Sequence, residues 1–150
     1  MNLNDNYRQS NRITSVKVEV GDLAIKLTND LLACVETNQR QNLGEQLLDE
    51  LCDSAKIDIV KLKISDTRQY HKRRGRRIVF KQYGYYRDKY IYIQNRTPAR
   101  GQLVAPKTFL DTLLHEWLHH YDTYALGLNS IHTKGFYERL KDLRNRLRVT

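Results

Sequence analysis

Apolar side chains recur at three- and four-residue spacing over residues 23–35, 43–52, 105–125 and 136–147, the pattern of helices that bury one stripe. Over residues 57–64 Ile, Val and Leu instead alternate with Asp and Lys, as a half-buried strand requires. Residues 77–83 and 89–94 read as two further strands around Gly84, and 16–20 as a short strand or the approach to a helix. Residues 1–12 carry no such period and are expected to be loose. Helices, then strands, then helices predict an α+β domain whose sheet precedes its last two helices.

The helix over 105–125 has the clearest signals. Pro106 suits a first turn, and Gly127 sits where a C-terminal cap belongs. Its stripe is Phe109, Leu110, Leu113, Leu114, Trp117, Leu118, Tyr121 and Ala125. On a wheel of about 100° per residue this stripe centres roughly opposite His115 and His119. Those two belong to His115-Glu116-Trp117-Leu118-His119, a His-Glu-x-x-His sequence. Residues four apart share a helix face, so both imidazoles can grip one metal ion. Glu116, turned about 100° aside, can reach a water beside that ion. Asp111 and Asp122 fall on the ligand face, where a carboxylate can receive a histidine's second ring N–H.

A catalytic zinc site takes three protein ligands and keeps one open position. Ala125 stands where the metzincin pattern needs its third ligand, so that class is excluded. Asp122 lies about 10 Å along the axis from His115, too far for both to bind one ion at ~2 Å. His120 points about 100° away from His119 and reads as a packing or cleft residue. Two candidates remain: Glu138 on the following helix, and His132 after the loop at 127–131. Of the two, His132 is the preferred ligand, completing a three-histidine set.

At these residues the chain resembles a known family. Thr112-Leu113-Leu114-His115-Glu116-x-x-His119-His120, followed by His132-x-x-Gly135-Phe136, is similar to the SprT-like zinc metallopeptidases, the group that includes Spartan-type DNA–protein crosslink proteases. The specific motifs occupy residues 112–136, within a similar layout over 45–148. The resemblance implies a small zincin-like domain: N-terminal helices, a short antiparallel or mixed sheet, the His-Glu-x-x-His helix and a C-terminal helix. It implies Zn²⁺ on His115, His119 and His132, and Glu116 as catalytic base. The spacing between the second and third His is shorter than in Spartan, and the cysteine zinc ribbon that often follows is absent.

The 150 residues suffice for one sizeable core, so residues 1–150 are expected to form one domain. No run of eighteen apolar residues occurs, and the first fifteen lack a signal-peptide stretch. Cys34 and Cys52 stand isolated, as reduced thiols of a cytoplasmic protein would. Charge is uneven. Residues 1–66 hold 8 Lys/Arg against 11 Asp/Glu, a net of −3, and residues 67–150 hold 18 against 6, a net of +12. The densest run, Lys72, Arg73, Arg74, Arg76 and Arg77, falls at an expected hairpin tip and could neutralise nucleic-acid phosphates. A second basic run, Arg139, Lys141, Arg144, Arg146 and Arg148, lies on the last helix, and Tyr83, Tyr85 and Tyr86 near the basic loop could stack on bases.

The expected activity is therefore zinc-dependent hydrolysis of protein or peptide substrates, with an oxyanion donor among Tyr124, Tyr137 and His120. The strand at 90–94 could bind extended substrate at a sheet edge, or be an interior strand. Two rivals stand beside this reading: a regulatory peptidase cleaving one partner such as a repressor, and a non-enzymatic nucleic-acid-binding module with a structural metal.

Overall fold

A computed structural model describes residues 2–68, 70–74 and 77–149, with the backbone alone over 70–74 and 77–82. The helices are α1 (Leu3–Arg12), α2 (Asp22–Leu32), α3 (Thr37–Ala55), α4 (Pro106–Tyr124) and α5 (Lys134–Arg146). Between α3 and α4 run β1 (Lys61–Arg68), β2 (Tyr70–Arg74), β3 (Arg77–Gln82), β4 (Gly84–Tyr86) and β5 (Tyr90–Arg96). The chain is α+β, and its sheet does precede the metal-motif helix.

Three strands form a mixed sheet in the order β1-β5-β4, parallel between β1 and β5 and antiparallel between β5 and β4. The strand at 90–94 is thus central, with Ile91 and Ile93 at 0 % and 1 % exposure. This settles its two readings for the interior one; the edge that faces the metal helix is β4. The turn joining β4 to β5 is Asp88-Lys89, both at positive φ, with Arg87 and Tyr90 exchanging backbone hydrogen bonds. That is a primed two-residue hairpin, and Gly84 lies inside β4. A Cβ on Gly84 would press on the Tyr92 carbonyl oxygen. β2 and β3 form a separate antiparallel pair with Arg74 opposite Arg77, so the basic run does lie on a hairpin. Arg76, and the side chains of Lys72, Arg73, Arg74 and Arg77, lie outside the described residues.

The core joins α2, α3 and the sheet to α4. Leu47, Leu48 and Leu51 of α3 meet the stripe of α4, in which Phe109, Leu110, Leu113, Leu114, Trp117 and Leu118 are fully buried. Trp117 donates its indole N–H to Cys52 Sγ at 3.3 Å. α3 starts earlier than its apolar period, because Glu36 caps Gln39 N–H and buried Arg40 finds polar partners. The Arg40 guanidinium donates to Asn95 Oδ1 and the Cys34 carbonyl and lies 4.7 Å from the Phe109 ring centre. Residues 16–20 alternate as expected, burying Val16 and Val18, yet form no strand. Their backbone N–H groups go to side chains instead: Val16 to Asp142, Lys17 to Tyr121 and Glu19 to Ser54.

The N-terminus departs from expectation. Residues 3–12 are not loose but helical, with Asn2 capping Asp5 N–H. The only buried residues of α1 are Asn6 and Ser10, both polar, so no apolar period announces it. Among the described residues no helix is long and apolar enough to cross a membrane.

Candidate metal centre

The apolar stripe of α4 fixes the helix against the core and leaves His115 and His119 on the opposite face, each half-buried. Gly127, at φ 65°, turns the chain after the helix, and residues 128–132 run back alongside it. This returns His132 to the pair. Its Nε2 lies 3.0 Å from Nε2 of His115 and 3.0 Å from Nε2 of His119. Glu138 is exposed on α5 and takes no part in this cluster, which among the two candidates includes His132 alone.

Three ring nitrogens at that separation cannot all be satisfied by one another, since one N–H can serve only one neighbour. A tetrahedral ion with nitrogens at ~2.0–2.1 Å would hold them about 3.3 Å apart, close to what is seen. Burial, reinforced by the charge of His132, pulls His115 down to about 4. Burial first, then His115 and His132, pulls His119 down to about 3. Both rings are therefore neutral at pH 7, the form that binds metal. The three histidines can hold a metal ion.

His119 is held by a chain of polar groups. Its Nδ1 lies 2.8 Å from Ser130 Oγ, whose hydroxyl donates to Asp122 Oδ2 at 2.9 Å. With that proton committed, Ser130 accepts the Nδ1–H of His119, which leaves the Nε2 lone pair facing the cluster. Asp122 thus acts through Ser130 rather than by direct contact. Burial pushes its carboxyl upward, against the two-bond fork from fully buried Arg139. Asp111 does not reach the metal histidines; it pairs with Arg144 at 3.2 Å. Phe136 is the floor of the centre, stacked on His119 at 4.7 Å and edge-on to His115 and His132 at 5.0 and 5.2 Å. The apolar period of α5 announced Phe136 as core, and only its place beneath all three rings marks it as part of the site.

Glu116 is 7 % exposed, its Oε2 has no hydrogen-bond partner among the described residues, and burial pushes its carboxyl up to about 7. A buried carboxylate oxygen without a donor is costly unless something cationic or protic completes it. It lies on the wall of a cleft of about 460 Å³ bounded by β4, His119, Tyr124 and Ser130.

His120 does not face that cleft as a free donor. Its Nε2–H goes to the Asp58 carbonyl at 2.7 Å, so its Nδ1 accepts from Tyr86 O–H at 2.8 Å. Both ring nitrogens are spent, one tying α4 to β4 and the other tying it to the segment before β1, and burial lowers its pKa. It is thereby removed from the oxyanion candidates. Tyr124 lines the cleft beneath the Lys89 ammonium, and Tyr137 sits 6.0 Å from the His132 ring. Of the tyrosines expected to stack on bases, Tyr85 is exposed and stacks on Tyr92. Of the second basic run Arg139 is buried, Arg144 pairs with Asp111 and Arg146 with Asp142 at the surface, and Lys141 and Arg148 are exposed.

No family model, curated protein or solved structure matches this chain.

Proposed function

We propose that this chain is a zinc-dependent metallopeptidase of SprT-like type, a small zincin-like domain that hydrolyses protein substrates. The observation that carries the reading is the convergence of three histidines beside a buried carboxylate whose free oxygen meets no donor among the described residues. Three nitrogen ligands and an open fourth position suit catalytic zinc, whereas a structural site would be closed by a fourth side chain. Bound there, zinc supplies Lewis acidity, making a water acidic near neutral pH and polarising a carbonyl.

The chain's own groups account for the rest. Glu116 takes the proton of the attacking water and delivers it to the departing amine. Asp122, through Ser130, holds the His119 ring in its metal-binding tautomer. Tyr137 and Tyr124 are the remaining candidates to stabilise the oxyanion. The outer edge of β4 pairs with no strand among the described residues, and it borders the cleft that holds Glu116. An extended polypeptide added there would bind by backbone hydrogen bonds, with little dependence on sequence.

Zinc content, together with cleavage of casein or histone with and without single-stranded DNA, tests the proposal. A protein that binds no zinc and cleaves neither substrate would overturn it. His132→Ala is expected to lose zinc on dialysis against a mild chelator, because two histidines hold the ion poorly, while Glu138→Ala keeps wild-type stoichiometry. The reverse ranking would make Glu138 the third ligand.

A nucleic-acid partner is supported by five cations within six residues of the β2–β3 hairpin. Replacing Lys72, Arg73, Arg74, Arg76 and Arg77 by Ser is expected to flatten the salt dependence of DNA binding by as much as ~4.5 log–log units. Hydrolysis of a short unstructured peptide should not change. If the wild type binds no oligonucleotide at low salt, the alternative of a peptidase dedicated to one protein partner takes first place.

A further inference from the structure

Helix α1 is polar along its length, and the face it buries is made of hydrogen-bonding groups rather than apolar ones. Those groups are aimed at one target, the segment 129–135 that carries Ser130 and His132. The Asn6 carboxamide, 3 % exposed, pairs with the backbone of Asn129 in both directions. Its Nδ2 donates to the Asn129 carbonyl and its Oδ1 accepts the Asn129 N–H, each at 2.8 Å. Ser10 Oγ meets Thr133 Oγ1 at 2.6 Å, and Asn11 Oδ1 accepts the Gly135 N–H at 2.9 Å. Gly135 allows the approach, since a Cβ there would overlap the Ser10 carbonyl oxygen. Arg139, which holds Asp122, also donates to the Ser10 and Ile13 carbonyls.

Residues 130 and 132 are thus bracketed on both sides, at 129 and at 133–135, by side chains from the opposite end of the chain. His132 is exposed and comes from a loop, and its approach to His115 and His119 has no regular element of its own to fix it. The geometry points to Asn6 as a positioning residue of the metal centre, with Ser10 and Asn11 assisting: α1 is the brace that sets the third ligand. This rests on the three histidines holding a metal ion, but not on the chain being a peptidase. Groups bonded directly to metal ligands typically contribute 10–100-fold to metal affinity, and a brace on the backbone flanking His132 acts in the same direction.

The test is zinc affinity of the full chain, by competition with a chromogenic chelator, for wild type, Asn6→Ala, Asn6→Asp and Arg8→Ala. Arg8 is the control, an exposed residue of the same helix paired only with Asp5 and the Asn4 carbonyl. Asn6→Ala is expected to weaken zinc binding about 10-fold or more, and Arg8→Ala to leave it unchanged. The visible absorption of the Co²⁺-loaded protein reports ligand geometry directly and should change in Asn6→Ala alone of those two. Asn6→Asp keeps the acceptor for Asn129 N–H and loses the donor, so it should fall between wild type and Asn6→Ala; it carries the test if Asn6→Ala does not fold. Folded Asn6 variants with wild-type affinity and a wild-type Co²⁺ spectrum would overturn the positioning role while leaving the metal centre standing. A wild-type protein that binds neither ion overturns both.

Discussion

Glu116→Gln is expected to keep the fold and the bound zinc while slowing peptide hydrolysis by at least about 10²-fold, the usual worth of a positioned general base. The amide has the shape of the carboxylate but cannot take a proton. Stability should not suffer, because the native Oε2 has no hydrogen bond to lose and its burial already disfavours the charged form. Metal content, thermal unfolding and hydrolysis of a quenched fluorogenic peptide, measured on the same preparations, separate these effects. Hydrolysis at the wild-type rate by a zinc-loaded Glu116→Gln protein would remove Glu116 from the mechanism. A variant that loses zinc would make it a ligand rather than a base.

The second large effect falls on Asp122, although it touches neither metal nor substrate. It and Arg139 are each fully buried and joined by two hydrogen bonds at 3.0 and 2.8 Å. Removing one partner of such a pair leaves the other charge stranded, at a cost of about 3–5 kcal/mol. Asp122→Ala is expected to lose stability on that scale in urea unfolding. It also frees Ser130 from its acceptor and so loosens the tautomer of His119. Asp111→Ala, which breaks a half-exposed pair with Arg144, should cost at most about 1 kcal/mol. Equal losses from the two substitutions would show that the buried chain from Arg139 to His119 is not the stronger constraint.

Arg139 shows what residue type alone does not reveal. In a row of otherwise surface cations it is fully buried on Asp122 of α4, and Arg144 pairs with Asp111 of the same helix. Spacing along one helix cannot reveal carboxylates contributed by another. The same holds for His120. Helix geometry left it as a packing or cleft residue, and packing is what its burial and its partners on Tyr86 and residue 58, both far away in sequence, show.

What was legible in the chain is what depends on short range. The four-residue separation of His115 and His119, the offset of Glu116 and the apolar stripe of α4 are set by helix geometry alone, so the metal-binding face followed directly from the sequence. The α+β class followed likewise, from periods of about 3.6 and 2 read within each segment. Only the tertiary structure brought His132, and not Glu138, to the histidine pair, because a loop after Gly127 has no period that states where it returns. It also made β5 central and β4 the edge, since strand order is a matter of which faces are covered after the chain folds. And it turned the unpatterned residues 3–12 into a helix packed on the segment that carries His132: α1 is ordered by hydrogen bonds to residues more than 120 positions away, a kind of stabilisation that leaves no hydrophobic trace in the sequence.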